Sequence, residues 1–564
     1  MINKTPVLSV LLLLLSSLRW RQLERIMDVN TVPSLVCTAV LACLFLIALF
    51  LRLGFRFGRV DTFVALMAGW YLVSTYISRW DHFPQVMGPI LAFLTYFAMR
   101  ATSPLLVTNR GLGIALLGVV LIVLLQLFLL ERIFYDLPYP YFGFFETYAT
   151  LSIFLAMAYP IMLETLKGKN ARIILTVTVL AVTVYYSRTA FISLAFSALV
   201  YLFITLPARR ISLMVSVGLG IIVYFLIMQD TDSIAGRLLI WKILFHEVDP
   251  HSLVLGNGPG FVERYYLDLQ SGYFSTQRPI QEQLLAGQVH TPFNEYIRIL
   301  IEQGLVGLSL LGTALYLLYR HLLKSLHQNR AVFISLSTLI LSGLFSFPLS
   351  SLSICLLGAI VYVLGINKDV EEESWVIRAP LGSNLVFGTV VLFLLYIAGH
   401  AYVQDGYLKQ WQRLKSGNYV VYNEGYFIAK SEALYPLLKN NAKITHEYAG
   451  YLYRMGLHDE ALQIALQGKN LYSNLDIHLL IASLYVELGN IDLAEKYYLY
   501  SINMVPKLLM PRHLLFNLYR ETGQTTKAKQ LAETIQHFPV KVETPIAREI
   551  KNEIHNYLHF NTSQ

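Results

Sequence analysis

Up to about residue 401, apolar stretches long enough to cross a bilayer alternate with short loops rich in Lys and Arg. No other feature restricts the fold as much. In hydrocarbon every backbone N–H and C=O must be satisfied within the protein, which leaves helices and closed barrels. A spanning helix needs roughly 17–25 mostly apolar residues. Such segments read at 33–52, 61–78, 85–99, 111–130, 146–166, 171–186, 189–206, 210–228, 294–319, 331–347, 350–366 and 383–401. A further apolar run at 5–18 is short for a span. Only 14% of the residues are charged, well below a soluble domain. The expected fold class is all-α: a polytopic membrane protein of about 12–13 transmembrane helices with a C-terminal helical-repeat domain.

The loop charges orient these spans, because short Lys/Arg-rich loops stay cytoplasmic. Arg52/Arg56/Arg59, Arg100/Arg110, Lys167/Lys169/Arg172, Arg209/Arg210 and Lys324/Arg330 all fall on one side. The opposite, extracytoplasmic side then receives the polar insert at about 229–293, the Ser187-Arg188 turn and everything after residue 401. Arg19, Arg21 and Arg25 disagree, so either 5–18 is not a span or translation begins at Met27. No small-residue cleavage pattern follows that run, which argues against a cleaved signal peptide. The net charge of +8 is thus a matter of topology and does not point to nucleic acid. Cys37, Cys43 and Cys355 all lie in apolar segments, forming neither a disulfide framework nor a metal-ligand spacing.

Beyond residue 401 the chain reads as a soluble helical protein, which divides it into a membrane region, 1–401, and a tail, 402–564. The tail repeats itself. Leu452, Gly456 and Glu460-Ala461 recur as Tyr485, Gly489 and Ala494, then as Tyr519, Gly523 and Ala528. A period near 34, with Gly closing one helix and Ala where the second crosses it, resembles tetratricopeptide repeats. Pro506 and Pro511 fit turns between repeats. Stacks of this kind leave a concave face for a protein partner.

The insert, the helix start that follows it and the Ser187-Arg188 turn hold the chemistry-bearing residues. Arg188 sits at the junction of two apolar segments; an arginine at that depth marks a substrate or ion path, or snorkels to lipid phosphate. Arg237 lies four residues before Trp241, on one face of a helix. Guanidinium groups bind phosphate bidentately and stay charged. Together the two suit a lipid diphosphate and the charge that develops as it leaves. Gly256-Asn257-Gly258-Pro259-Gly260 lacks the Lys-Ser/Thr of a phosphate-binding loop and reads as a tight turn. His290 precedes Thr291-Pro292, which read as N-cap and first helical position. A histidine there can act as general base towards a hydroxyl. Glu295 is an alternative carboxylate base, and Glu302 a structural partner within a membrane helix. No metal cluster stands out, and no cofactor is implied.

In this order the segments resemble the O-antigen ligase and polymerase superfamily, which includes bacterial O-oligosaccharyltransferases. The resemblance rests on Ser187-Arg188-Thr189-Ala190, on Ser233 to Phe261 with its Arg237, Trp241 and glycine turn, and on Phe293 to Gly307 with Asn294, Tyr296 and Glu302. Phe345 to Leu349 resembles a later family segment. The tail resembles that of members common in Bacteroidetes. The resemblance implies a bacterial inner-membrane protein with a periplasmic tail, transferring a glycan from an undecaprenyl-diphosphate carrier. Arg188 and Arg237 match family arginines associated with the diphosphate. The family histidine aligns with Phe293, so His290 stands three residues away from it. Glu146 occupies a place where relatives often have Asn. The acceptor is open between lipid A core, a growing glycan (a polymerase) and a protein hydroxyl. A transporter or flippase of lipid-linked sugars, and a scaffold in which the repeats do the work, are the readings from other classes.

Overall fold

The computed structural model describes residues 41, 55–78, 83–106, 110–121, 147–205, 218, 231–366, 375–377, 380–416, 424–540 and 544–561. Outside them lie the run at 5–18, Met27, Cys37, Cys43, Glu146, and Arg19, Arg21, Arg25, Arg52, Arg209 and Arg210. So do the segments 33–52, 122–130 and 210–228, apart from Leu41 and Gly218.

The regular structure of the described residues is helical except for a two-stranded antiparallel ribbon, β1 (Phe55–Phe57) with β2 (Trp375–Ile377), in which Arg56 faces Val376. They form two compact units: Met1–Met228 with Phe293–Gln410, and Gln229–Pro292 with Trp411–Gln564. The polar insert and the repeat tail therefore belong to the same unit.

In the first unit, the helices are α1 (Arg59–Ile77), α2 (Phe83–Leu106), α3 (Arg110–Leu121), α4 (Tyr148–Thr165), α5 (Lys169–Tyr186) and α6 (Arg188–Thr205). The second unit takes the next four, α7 (Thr231–Glu247), α8 (Ser252–Leu255), α9 (Phe261–Phe274) and α10 (Ile280–Leu285). The first unit resumes with α11 (Glu295–Lys324), α12 (Arg330–Ser342), α13 (Leu352–Ile366) and α14 (Pro380–Ser416), whose last turns pass the boundary at Trp411. Three described helices, α1, α4 and α11, are long and apolar enough to cross a membrane; α3, α6, α12 and α13 are shorter apolar helices.

Helix α4 is buried nearly all round, with Phe154, Met157 and Ile161 in the core of this unit. A helix apolar on every face needs neighbours on every face. Hydroxyls stitch the helices together: Ser335 Oγ donates to the Met157 carbonyl at 2.7 Å, and Tyr362 Oη to that of Ala314 at 2.8 Å. Asp61 is fully buried. It receives the Arg100 guanidinium through two bonds of 2.9 Å, the Gly58 amide at 2.8 Å and the Tyr96 hydroxyl. Only a carboxylate satisfied from this many directions is tolerable at such depth.

Helix α11 breaks at Gly304, whose φ of 69° and ψ of −175° lie outside the helical region. The break strands carbonyls that α1 then satisfies. Trp70 Nε1 donates to the Gln303 carbonyl at 2.8 Å and Ser74 Oγ to that of Glu302 at 3.5 Å. The Glu302-Gln303-Gly304 sequence is thus an inter-helix joint.

In the second unit the tail is built from helix pairs: α16 (Ala442–Arg454) with α17 (His458–Leu471), α18 (Leu475–Glu487) with α19 (Ile491–Met504), and α20 (Met510–Glu521) with α21 (Thr525–His537). α15 (Glu424–Leu438) precedes them and α22 (Pro545–Asn561) follows. Gly456, Gly489 and Gly523 close the first helix of each pair at φ of 75°, 72° and 71°, the left-handed position that glycine takes at a C-cap. Ala461, Ala494 and Ala528 are fully buried in the second helices, small enough to let each pair approach. α22 buries Ile550 and Ile554 against the last pair.

Candidate functional site

Arg188 is the first residue of α6. Ser187 is buried between α5 and α6, and its Oγ accepts the Ala190 amide at 3.3 Å, capping α6. A cation at a helix N-terminus gains nothing from the macrodipole. An exposed arginine held there adds to the positive end of the dipole and creates a place for an anion. Beside it Tyr186 stacks on Tyr148, centroids 4.3 Å apart and planes within 14°, with Tyr185 edge-on at 4.7 Å. These tyrosines were not singled out from the sequence. The Tyr185-Tyr186 pair directly before Ser187 was the available signal.

The start of α11 is also in the first unit. Helix formation begins at Glu295, later than the Thr291-Pro292 start expected from the sequence. Asn294 is the N-cap, its Oδ1 accepting the amides of Tyr296 and Ile297 at 3.0 Å each. The reason is local: Phe293, at φ 52°, sits in the left-handed region, and a helix cannot run through it. Asn294 Nδ2 donates to the Leu344 carbonyl at 3.0 Å, and Tyr296 Oη to that of Ile340 at 2.7 Å. Glu295 is buried, its carboxylate engaging the Arg298 guanidinium and accepting the Leu349 amide at 3.2 Å. Arg298 also donates to Ser350 Oγ at 3.0 Å. To serve as a base, Glu295 would have to give up that ion pair.

The second unit holds Arg237, Trp241 and His290. Arg237 is half-buried on α7, and burial holds its pKa below the ordinary guanidinium value. One turn on, Trp241 Nε1 donates to the Pro292 carbonyl at 2.7 Å, fixing α7 to the strand of chain that carries His290. Glu282 ties α7 to α9 and α10, accepting Lys242 Nζ at 2.7 Å and Tyr273 Oη at 2.8 Å. The glycine-dense segment is a turn: Gly256, Gly258 and Gly260 have φ of 85°, 93° and 77°, and Gly260 leads into α9.

His290 has an exposed edge, yet the protein packed around its ring holds its pKa below the usual imidazole value. Its Nδ1 lies 2.9 Å from Tyr472 Oη, at the end of α17 in the tail. Burial raises the Tyr472 pKa, so the phenol keeps its proton. The next residue, Ser473, donates to Asp268 Oδ1 on α9 at 2.8 Å, and Tyr500 Oη donates to the same oxygen at 2.7 Å. No sequence signal marked Asp268, Tyr472, Ser473 or Tyr500 as partners. Among the described residues no group of three or more His, Cys, Asp and Glu could hold a metal ion.

An O-antigen ligase family model matches residues 173–312. That is about a quarter of the chain, and it encloses Arg188, Arg237, His290, Asn294, Glu295 and Tyr296. The match supports the O-antigen ligase superfamily and, in general, glycan transfer by a membrane protein. No curated protein matches the sequence. Among solved structures, the crystal structure of the yeast Tom70 is similar at 10% identity and a TM-score of 0.25, covering 88% of this chain and 96% of that one. A likeness of that size carries no argument, so the repeat architecture rests on the helix pairs themselves.

Proposed function

We propose that this protein transfers a glycan from an undecaprenyl-diphosphate carrier to a hydroxyl acceptor at the extracytoplasmic face of a bacterial inner membrane, with the repeat tail in the periplasm. The observation that carries the reading is the O-antigen ligase match, which spans both candidate arginines and the candidate bases. Arg188 and Arg237 bind the diphosphate and stabilise the charge it gains as the bond to the sugar breaks. The acceptor oxygen attacks the anomeric carbon, the carbon–oxygen bond to the diphosphate breaks, and the lipid diphosphate leaves. Because one displacement uses no enzyme nucleophile, the anomeric configuration inverts.

The acceptor proton goes to His290. A depressed pKa keeps that imidazole neutral and able to accept at neutral pH. In the tautomer whose Nδ1–H donates to the Tyr472 oxygen, Nε2 has its lone pair for the acceptor proton. Glu295 is the less available base, since its carboxylate already carries Arg298 and the Leu349 amide. Ser187, Trp241, Asn294 and Tyr296 support the site by capping and anchoring.

The test is a knock-out complemented with Arg237→Ala. Glycan transfer should fall about 100- to 1000-fold at unchanged expression, the cost of removing one strong transition-state donor. Normal transfer by that variant overturns the reading. Comparing lipopolysaccharide and glycoprotein profiles of the same strains identifies the acceptor as lipid A core, glycan or protein.

A further inference from the structure

We infer that the helical repeats act in cis: the turn between the first two repeats and helix α19 form a seat for the insert, with Asp268 and Tyr472 as positioning residues for its site. The inference rests on the proposed function, because that reading gives Arg237 and His290 their roles.

The middle of α9 makes several polar contacts with the tail. Asp268 Oδ1 accepts Ser473 Oγ and Tyr500 Oη. Two residues on, Gln270 is fully buried and donates from Nε2 to the carbonyls of Met504 and Gly287. Ser271 Oγ donates to the Tyr500 carbonyl at 3.1 Å. Around these bonds Tyr266, Leu267 and Tyr273 are buried, and Leu284 of α10 packs on the cluster formed by the later repeats.

The polar centre is a relay of defined direction. His478 is buried and stacks on Tyr500, centroids 4.8 Å apart and planes within 19°. Burial, with Lys469 and His446 nearby, lowers its pKa to about 3, so the ring is neutral. Its Nε2 lies 2.8 Å from Ser473 Oγ. Ser473 gives its proton to Asp268, so His478 Nε2–H must donate to Ser473, leaving Nδ1 as an unpaired acceptor. These three residue types resemble a hydrolytic triad, but the order is wrong. The carboxylate contacts the serine, and among the described residues nothing orients Nδ1. The group serves as an anchor.

Two consecutive tail residues thus grip two parts of the insert: Tyr472 holds His290, and Ser473 holds α9. From α9 the hold passes to α7 through Tyr273, Glu282 and Lys242, and α7 carries Arg237. A tail that served only to recruit a partner would not need these bonds to the insert.

Hydrogen exchange on the purified full-length chain tests the seat without reference to activity. Asp268→Ala and the Ser473→Ala/Tyr500→Phe pair should speed exchange at least about tenfold across 261–274 and 231–247, leaving 148–165 unchanged. Unchanged exchange in either insert segment overturns the inference. Asp268→Asn, whose carbonyl oxygen can accept the same two hydroxyls, should restore protection. In complemented knock-out cells, Asp268→Ala should lower glycan transfer at least about tenfold at matched protein level, with Asp268→Asn rescuing it. Faster exchange with wild-type transfer would leave the tail a stabiliser and sink the positioning role, provided Arg237→Ala is inactive. If Arg237→Ala also transfers normally, the functional reading has failed, and the exchange result still decides the seat.

Discussion

The two units hold carboxylates by different means. In the membrane unit Asp61 meets a full positive charge, Arg100, with two direct bonds, and Glu295 meets Arg298. In the insert and tail, the Asp268 oxygen that accepts Ser473 and Tyr500 is served by two neutral hydroxyls, and burial raises its pKa. The difference teaches where charge is structural. Removing Asp61 strands a buried guanidinium, whereas Asp268→Asn keeps an acceptor for both hydroxyls and loses only the weaker pull of Lys469 and Arg264.

That contrast can be broken directly, and the largest effect is expected in the membrane unit. Asp61→Asn should destabilise the protein by about 3–5 kcal/mol, the cost of leaving a buried partner unpaired. Asp268→Asn should stay within about 1 kcal/mol of wild type. Thermal unfolding of both variants in detergent measures the pair, and equal losses would erase the distinction.

The second effect separates the units by pH. His478 is held neutral by burial, with a folded pKa near 3, below the ordinary imidazole value. The unfolded chain therefore binds its proton first, and stability falls as pH drops from the unfolded pKa of about 6.5 towards 3. Between pH 7.5 and 5 the loss is on the order of 2 kcal/mol. Asp268, whose folded pKa is raised, works in the other sense and offsets part of the loss only at the acid end. Unfolding of the second unit followed from pH 7.5 to 5 should show the slope, and His478→Gln should remove much of it, the rest coming from His446 and His290, whose pKa values burial also lowers. A slope left undiminished by the substitution assigns it elsewhere.

The smallest effect lies at the start of α11. Asn294→Ala removes a side chain that accepts two amides and donates to Leu344, and should cost about 1 kcal/mol. A Tm unchanged by that substitution would mean that Glu295 and Arg298 hold the helix start without the cap.

Much of this was legible in the sequence where the determinant is local. Glycines at 456, 489 and 523 marked the repeat because each must take a left-handed φ, and the alanines marked where helices cross. The spans at 61–78, 146–166 and 294–319 stood out by apolar length, and α1, α4 and α11 occupy them. Thr291-Pro292 misled because a good cap sequence is overruled by the backbone of Phe293 two residues on. Asp268 was invisible for a different reason. Its partners Ser473 and Tyr500 stand 205 and 232 residues away, and one aspartate on an amphipathic helix ordinarily faces water. Arg188 and Arg237 were singled out by their chemistry, whereas the Tyr148–Tyr186 stack beside Arg188 depends on two helices meeting.

The bend at Gly304 also bears on how the chain is made. An interrupted helix carries bare carbonyls into the bilayer, and here their donors, Trp70 and Ser74, lie 233 and 228 residues earlier in the chain. The ribosome delivers α1 long before α11. The bent helix therefore arrives at a partner already in the membrane, and reordering the two in a permuted chain would present the bend to lipid with nothing to receive it.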